Sequence, residues 1–197
     1  LSERIATPCV CLACSVFRNE LEELRRQGAF ALPVRWLDSS LHLEPPALRE
    51  ALESEIAKAR DAGLRVLLLY GDCHPSMLDA EAPGQVARTE GLNCCQIMLG
   101  RDRFRWLRRQ GAFFLMPEWT MRWREVLPKA LGLEQGTAKT LMGEMFTKLV
   151  YLDTGLAKVP VAQLDEVAAY TGLPWEIAAI DLRGLRSAVE SALARLR

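Results

Sequence analysis

The sequence has no excess of either charge, few histidines and no long hydrophobic run. Its 197 residues include 25 Lys and Arg, 25 Asp and Glu and only two His, so the formal net charge is zero. A neutral chain does not predict a polyanionic partner, and we expect neither nucleic acid nor a membrane as partner. The longest apolar runs, such as residues 66–70, are far shorter than the roughly 20 residues that a membrane-spanning helix needs.

The sequence also lacks the short motifs that mark the commonest enzyme classes. It contains no P-loop, no Gly-x-Gly-x-x-Gly fingerprint, no His-Glu-x-x-His zinc motif and no Gly-x-Ser-x-Gly nucleophile turn. These absences disfavour the familiar nucleotide-binding proteins and hydrolases. No charged start precedes a long apolar stretch, so we expect no signal peptide. Six cysteines in a chain of this length are typical of reduced thiols rather than of a disulfide-stapled domain, and they predict a cytoplasmic protein.

Half of the residues are hydrophobic and a quarter are charged, a balance typical of globular proteins. Short apolar runs alternate with segments of helical periodicity. The strands that this pattern predicts lie at residues 10–13, 30–36, 65–70, 94–98, 112–116, 148–152 and 176–180. Helices are predicted at 47–62 and 161–171, each followed by a glycine, and after the N-cap candidate Asp181. The alternation predicts one α/β domain over residues 1–197, with a mostly parallel sheet and flanking helices.

One segment of the sequence is repeated. The heptapeptide LRRQGAF occurs at residues 24–30 and again at 107–113, and a Tyr-x-Asp triplet occurs at 70–72 and at 151–153. We interpret the repeats as an internal duplication, which predicts two pseudo-equivalent lobes at residues 1–91 and 92–197. The alternative is that a helix end followed by a strand has few sequence solutions, so that the copies coincide by chance.

Four sulfur- and nitrogen-bearing side chains lie at or near the predicted strands, three of them after a strand and Cys94 at or near the fourth strand. They are Cys14, His42, Cys73 and Cys94. Because ligands bind beyond the carboxyl ends of parallel strands, we expect these side chains to meet at one edge of the sheet. Thiolates with an imidazole suit zinc, and equally an iron–sulfur cluster or a cobalt or iron cofactor. The alternative is that free cysteines simply pack in the core.

Two of these candidate ligands have a competitor nearby in the sequence. Cys95 follows Cys94 directly, and His74 lies beside Cys73 and competes with His42. The pattern of strands and ligand types does not decide between the members of either pair.

The residues that follow Gly100 form the strongest basic cluster of the chain. It contains Arg101, Arg103, Arg105, Arg108 and Arg109. Arg101 and Arg105 are candidate cofactor-binding residues because guanidinium groups recognise phosphates and other anions. The alternative is an exposed, solvated helix face.

Several segments together resemble a known family. They are LAC at 12–14, LHLEP at 41–45, LYGDC at 69–73, NC at 93–94 and YLDTG at 151–155. Their order is similar, over nearly the whole chain, to that of a prokaryotic family catalogued only as a domain of unknown function. Members of that family are frequent in methanogens and other anaerobes, and many are encoded near corrinoid-dependent methyltransferases. The resemblance implies an α/β protein in which Cys14, His42, Cys73 and Cys94 match the family's Cys and His positions, with Cys95 leaving the match at Cys94 in doubt.

The sequence and the resemblance together predict a cytoplasmic protein that binds zinc, an iron–sulfur cluster or a corrinoid through the four candidate ligands. The resemblance alone adds corrinoid and methyl-transfer metabolism as the setting, with a corrinoid protein or a methyltransferase as partner. Two alternatives remain open. One is a metal-free thiol enzyme with Cys14 or Cys73 as nucleophile and His42 or His74 as base. The other is a structural adaptor whose cysteines are packed and inert.

Overall fold

A computed structural model describes residues 8–73, 76–132 and 135–196 of the protein. These residues form two parallel sheets flanked by helices, which confirms the predicted α/β class. The strands are β1 (Cys9–Cys14), β2 (Val34–Leu37), β3 (Arg65–Leu69), β4 (Val86–Arg88), β5 (Ala112–Leu115), β6 (Lys148–Asp153) and β7 (Trp175–Ala179). No helix in the described ranges is both long enough and apolar enough to cross a bilayer.

The helices vary from one turn to nearly five. They are α1 (Arg18–Arg26), α2 (Pro45–Asp61), α3 (Ser76–Asp79), α4 (Cys94–Leu99), α5 (Arg101–Arg109), α6 (Pro117–Met121), α7 (Trp123–Leu131), α8 (Gln135–Met145), α9 (Val161–Thr171) and α10 (Arg183–Ala194). Two short 3-10 helices, Ser15–Phe17 and Ser39–Leu43, follow β1 and β2. The chain divides into two compact units: Leu1–Ile97 with Leu185–Arg197, and Met98–Gly184.

The first unit contains a four-stranded sheet in the order β2-β1-β3-β4, with all neighbouring strands parallel. Residues 10–14 of β1 and 66–69 of β3 are buried, as expected for central strands of a parallel sheet covered on both faces. Helix α2 buries Leu48, Leu52, Ile56 and Ala59 at helical spacing. It ends just before Gly63, whose positive φ of 67° is the conformation that favours glycine after a helix.

The second unit contains a three-stranded parallel sheet in the order β5-β6-β7. One hydrophobic cluster joins this sheet to helices α7, α8 and α9. Its members include Leu115, Trp123, Met142, Leu149 and Leu164, all buried. The indole N–H of Trp123 donates to the Glu166 carboxylate at 2.9 Å, so that the buried ring keeps a polar partner.

The two LRRQGAF copies occupy similar local positions. Each ends a helix, α1 or α5, and places its glycine at positive φ, 71° at Gly28 and 74° at Gly111. The strands that follow differ, because β5 starts directly after Gly111 whereas β2 starts only at Val34. In addition, β1 lies between β2 and β3, whereas β5 pairs directly with β6. The helix ending recurs, but the structure does not show an internal duplication.

The sequence prediction was wrong at one strand and incomplete at another. Residues 94–98 belong to helix α4 instead of a strand. The Asn93 side chain accepts from the backbone N–H of Gln96 at 2.9 Å, and the Gln96 side chain accepts from the backbone N–H of Leu92 at 2.6 Å. This reciprocal capping starts a helix where the short apolar run alone is ambiguous. Strand β4, only three residues long, was not predicted.

Candidate functional site

Three cysteines from separate segments of the first unit lie in contact. Cys14 ends β1, Cys73 lies after β3, and Cys94 begins α4. The Cys94 thiol hydrogen-bonds with the thiols of both Cys14 and Cys73. We call these three residues the thiol cluster. Cys14 is buried, whereas Cys73 and Cys94 are partly exposed.

The topology of the sheet explains why two of the three thiols meet. Strands β1 and β3 are parallel neighbours, with Ala13 opposite Leu69. Both strands therefore end at the same edge of the sheet, and the residues that follow them converge there. Cys14 comes directly after Ala13, and residues 70–73 come directly after Leu69.

Two backbone contacts bring the third thiol to this edge. The backbone N–H of Asp72 donates to the Gly91 carbonyl at 2.9 Å. Gly71 packs so closely on Asn93 that a Cβ at position 71 would lie 2.5 Å from the Asn93 Cα. The segment after β3 is thus held against the start of α4. Cys73, which follows Gly71 and Asp72, and Cys94, which follows Asn93, therefore come together in the cluster.

The hydrogen bonds divide the thiols into one that ionises readily and one that does not. A hydrogen bond from Cys94, together with one from the Gly71 backbone and the charge of Arg88, lowers the pKa of Cys73, although burial and the charge of Asp72 oppose the shift. The hydrogen bonds with Cys14 and Cys73, together with burial, raise the pKa of Cys94 well above its ordinary value. Cys73 therefore loses its proton first, and Cys94 keeps the proton that it donates.

Arg88 supplies a buried positive charge beside the cluster. It ends β4 and is only 5% exposed. Its Nη1 lies 2.7 Å from Asp72 Oδ1 and 3.1 Å from the Thr89 carbonyl oxygen, and its Nε lies 3.4 Å from Glu81 Oε1 without hydrogen-bond geometry. These contacts fix the guanidinium in place, so that its charge favours the thiolate form of Cys73.

Tyr70 carries a buried hydroxyl that has no hydrogen-bond partner among the described residues. Its backbone is fixed, because its N–H donates to the Thr89 hydroxyl at 3.2 Å and its carbonyl accepts from that hydroxyl at 2.9 Å. The side chain is 2% exposed. Burial, followed by the charges of Cys14, Cys94 and Cys73, raises the pKa of Tyr70. The phenol therefore stays protonated and is available as a donor beside the thiol cluster.

Of the other cysteines, Cys11 is buried and has the properties of a packed thiol, whereas Cys9 and Cys95 are partly exposed. Burial raises the pKa of Cys95 to about 12, and burial also raises the pKa values of Cys9 and Cys11. The two cysteines of the doublet differ, because Cys94 makes the hydrogen bonds of the cluster, whereas burial and the charge of Cys73 raise the pKa of Cys95.

The structure describes His42 but not His74. His42 lies in the 3-10 helix after β2, is partly buried, and its Nδ1 contacts the carbonyl oxygen of Ser39. This contact orients the imidazole within its own turn. His74 lies outside the described residues.

The thiol cluster is not a preformed metal centre. In residues 8–73, 76–132 and 135–196, no group of three or more His, Cys, Asp or Glu side chains is arranged to hold a metal ion. Thiols that hydrogen-bond to one another still carry protons, which a metal displaces on binding. The arrangement offers two kinds of chemistry: ligation of a soft metal by thiolates, and nucleophilic reaction of the ionised Cys73.

The predicted anion-binding residues Arg101 and Arg105 lie on α5, in the second unit, and both are exposed. Sequence reasoning did not identify Tyr70 or Arg88 as site residues. Strand β4 is too short to be recognised in the sequence, so the sequence does not show that Arg88 lies at a strand end.

Comparison with known proteins gives a family and no activity. A family model described as a protein of unknown function, DUF1638, matches residues 36–189. This range contains His42, Cys73 and Cys94 and begins after Cys14. No curated protein and no solved structure matches the chain. Because the family model covers most of the sequence, the protein belongs to the DUF1638 family.

Proposed function

We propose that this protein binds a thiolate-preferring metal, zinc or iron, through Cys14, Cys73 and Cys94. The observation that carries the proposal is the position of the Cys94 thiol, which hydrogen-bonds with two thiols from other segments. Sulfur ligands from three separate segments at one sheet edge are a common way to build a soft-metal site. His42 is the proposed fourth ligand or supporting residue.

The contacts among the thiols support a site rather than core packing. A cysteine that only fills the core contacts apolar atoms and is inaccessible. Cys73 and Cys94 are instead partly exposed and contact other thiols. The buried Cys11, at 0% exposure in the middle of β1, is the contrasting case on the same sheet.

The charges near the cluster also support thiolate ligation. Three thiolates with a divalent cation carry one net negative charge, which is costly to bury without compensation. Arg88 provides a fixed positive charge that favours ionisation at Cys73, although the Asp72 carboxylate paired with it opposes that ionisation. The Tyr70 hydroxyl, without a partner among the described residues, can donate to a thiolate sulfur or to a ligand at the metal.

The partners and chemistry that we propose follow from such a site. With His42 in the supporting role, three protein ligands leave a fourth position for a water or a substrate thiol, whose pKa a bound metal lowers. An activated thiol accepts methyl groups, which agrees with the corrinoid and methyl-transfer setting implied by the resemblance. A corrinoid protein or a methyltransferase is accordingly the partner class that we propose.

The experiment is an anaerobic titration of the reduced, metal-free protein with Co²⁺, followed by elemental analysis after reconstitution with zinc or with iron and sulfide. We expect sulfur-to-cobalt charge-transfer absorption that saturates at a single ion per chain. Cys9→Ser, which alters a cysteine outside the cluster, is the matched control and should leave the titration unchanged. If the wild-type protein retains no metal under any of these conditions, the proposal is wrong.

Tyr70→Phe separates the two states of the site. In the metal-free protein, the change removes a buried hydroxyl without a partner and is expected to raise the free energy of unfolding by about 1 kcal/mol. In the metal-loaded protein, it removes a donor and is expected to weaken metal binding about 10-fold. Urea unfolding and metal competition measure the two effects. Tyr151→Phe, at an equally buried position in β6, should give no gain in stability, and a loss of stability in metal-free Tyr70→Phe would contradict the assignment.

A second function is favoured by one observation, the lowered pKa of Cys73. In a metal-free thiol enzyme, Cys73 would be the nucleophile. We expect iodoacetamide to modify Cys73 before the other cysteines, with a midpoint below that of an ordinary free thiol. Cys94→Ala removes the donated hydrogen bond and should move the midpoint upward. Mass spectrometry of the alkylated protein over a pH series measures both, and an unchanged midpoint in Cys94→Ala would show that the hydrogen bond does not control Cys73.

A further inference from the structure

Helix α5 presents a strongly basic face to solvent. Five of its nine residues are Arg, none is Lys, and Asp102 is the one acidic residue. Only Phe104 and Leu107 are buried, and the other seven side chains are exposed. A helix with a net charge of +4 stands out in a chain whose formal net charge is zero.

Three of these arginines have no ion-pair partner in the described part of the chain. They are Arg101, Arg105 and Arg109, whereas Arg108 stacks on Phe146 and Arg103 faces the charge of Asp181. Several exposed arginines on other helices are paired, although Arg60 of α2 is exposed and has no ion-pair partner among the described residues. Arg26 bonds to Glu23 at 2.6 Å, Arg49 to Glu53 at 2.7 Å, and Arg186 to Glu190 at 2.8 Å. On α5, three unpaired arginines at four-residue spacing lie along one face of a single helix.

A large aromatic side chain lies beside this stripe. Trp106 is 60% exposed, and the periodicity of the helix places it next to Arg109 and Asp102. We call Arg101, Arg105, Arg109 and Trp106 the basic stripe. Successive arginines lie four residues apart, which is about 6 Å along a helix. An exposed indole among unpaired guanidinium groups exposes apolar area that a partner surface can bury.

We infer that the basic stripe docks an acidic protein surface. Arg and Trp are the residues most enriched at the energetic centres of protein interfaces, whereas Lys is depleted there. Side chains on an exposed helix face form a convex surface, whereas sites for small anions are concave. Asp102 lies between the arginines and Trp106 on the same face. Its carboxylate repels the phosphates of a nucleic acid or a lipid, but it can pair with a cation on a protein.

The spacing also defines what the partner must offer. Carboxylates four residues apart on a helix match the spacing of the three arginines. Guanidinium groups bind carboxylates in a two-pronged manner that lysine cannot reproduce, which accounts for the use of arginine throughout the stripe.

The test uses a labelled synthetic helical peptide with glutamates four residues apart, and measures its binding to the full chain by fluorescence anisotropy. The triple variant Arg101→Gln, Arg105→Gln, Arg109→Gln should bind the peptide about 10-fold more weakly at low salt. The matched control is Arg26→Gln, Arg49→Gln, Arg186→Gln, which removes the same charge from exposed helices and should keep wild-type affinity. Trp106→Ala should also weaken binding, because the indole contributes buried area.

Several outcomes would overturn the inference. They are equal affinity for the two triple variants, no binding of the peptide to the wild-type chain, and unchanged affinity in Trp106→Ala. Oligothymidine and phosphatidylserine vesicles are tested alongside. Tighter binding to either, lost in the stripe variant and kept in the control, would show that the stripe recognises phosphates rather than an acidic protein.

Discussion

Cys94→Ser is expected to lower metal affinity by more than about 100-fold, the largest effect of any single substitution at the site. The variant removes the thiol that contacts both Cys14 and Cys73, and a serine hydroxyl is a poor ligand for a soft metal. Competition with a chelating dye, read on anaerobic protein, gives the affinity. The fold should survive, because the residue is partly exposed and serine is nearly the same size.

Cys95→Ser is the matched control for this prediction. It alters the adjacent residue of the same helix, which is also partly exposed and whose pKa is raised by burial. The variant should lose stability, by about 1–3 kcal/mol if the hydroxyl has no partner, and keep its metal affinity. The reverse pattern, with metal lost in Cys95→Ser and kept in Cys94→Ser, would mean that the hydrogen-bonded thiol is not the ligand.

Gly71→Ala is expected to destabilise the protein by about 3 kcal/mol and to separate the thiols. The added Cβ would lie 2.5 Å from Cα, 2.8 Å from N and 2.9 Å from C of Asn93. These are backbone atoms, so the clash cannot be relieved by rotating a side chain. The segment after β3 must move away from the start of α4, which breaks the contact between Cys73 and Cys94.

The stability effect is measured by urea unfolding, and the separation of the thiols by the pH dependence of Cys73 alkylation. Without the hydrogen bond from Cys94, the pKa of Cys73 should rise. Gly143→Ala is the control, since a Cβ there meets nothing within 4 Å and the residue lies inside α8. That change should stabilise the protein by about 0.5–1 kcal/mol. Similar stability changes in the two variants would rule out the proposed backbone clash.

The predictable part of the site is the part set by strand order. Cys14 and Cys73 follow strands whose apolar runs are clear in the sequence, and parallel pairing brings such ends together. The position of Cys94 beside them was predicted from a strand at 94–98 that does not exist. The Cys94 side chain is instead placed there by helix α4, which begins with the reciprocal capping by Asn93 and Gln96.

The remaining features depend on contacts between residues distant in sequence. Arg88 becomes a site residue because β4 pairs with β3 and its guanidinium reaches Asp72. No local pattern in the sequence encodes that pairing. The sequence also does not predict that the Tyr70 hydroxyl is buried without a partner, because a tyrosine at a strand end more commonly finds a partner for its O–H group.

The thiol cluster has an odd number of members, and this has a consequence for its oxidation. A disulfide uses two sulfurs, so whichever pair is oxidised, the third cysteine is left over. Cys94 contacts both other thiols, which favours two alternative bridges, Cys14–Cys94 and Cys73–Cys94. The first leaves Cys73 free and the second leaves Cys14 free. Air exposure should therefore give a mixture of two bridged isomers. The Cys14–Cys94 isomer leaves the partly exposed Cys73 able to form a mixed disulfide by exchange with a small disulfide, whereas the Cys73–Cys94 isomer leaves only the buried Cys14 of the cluster.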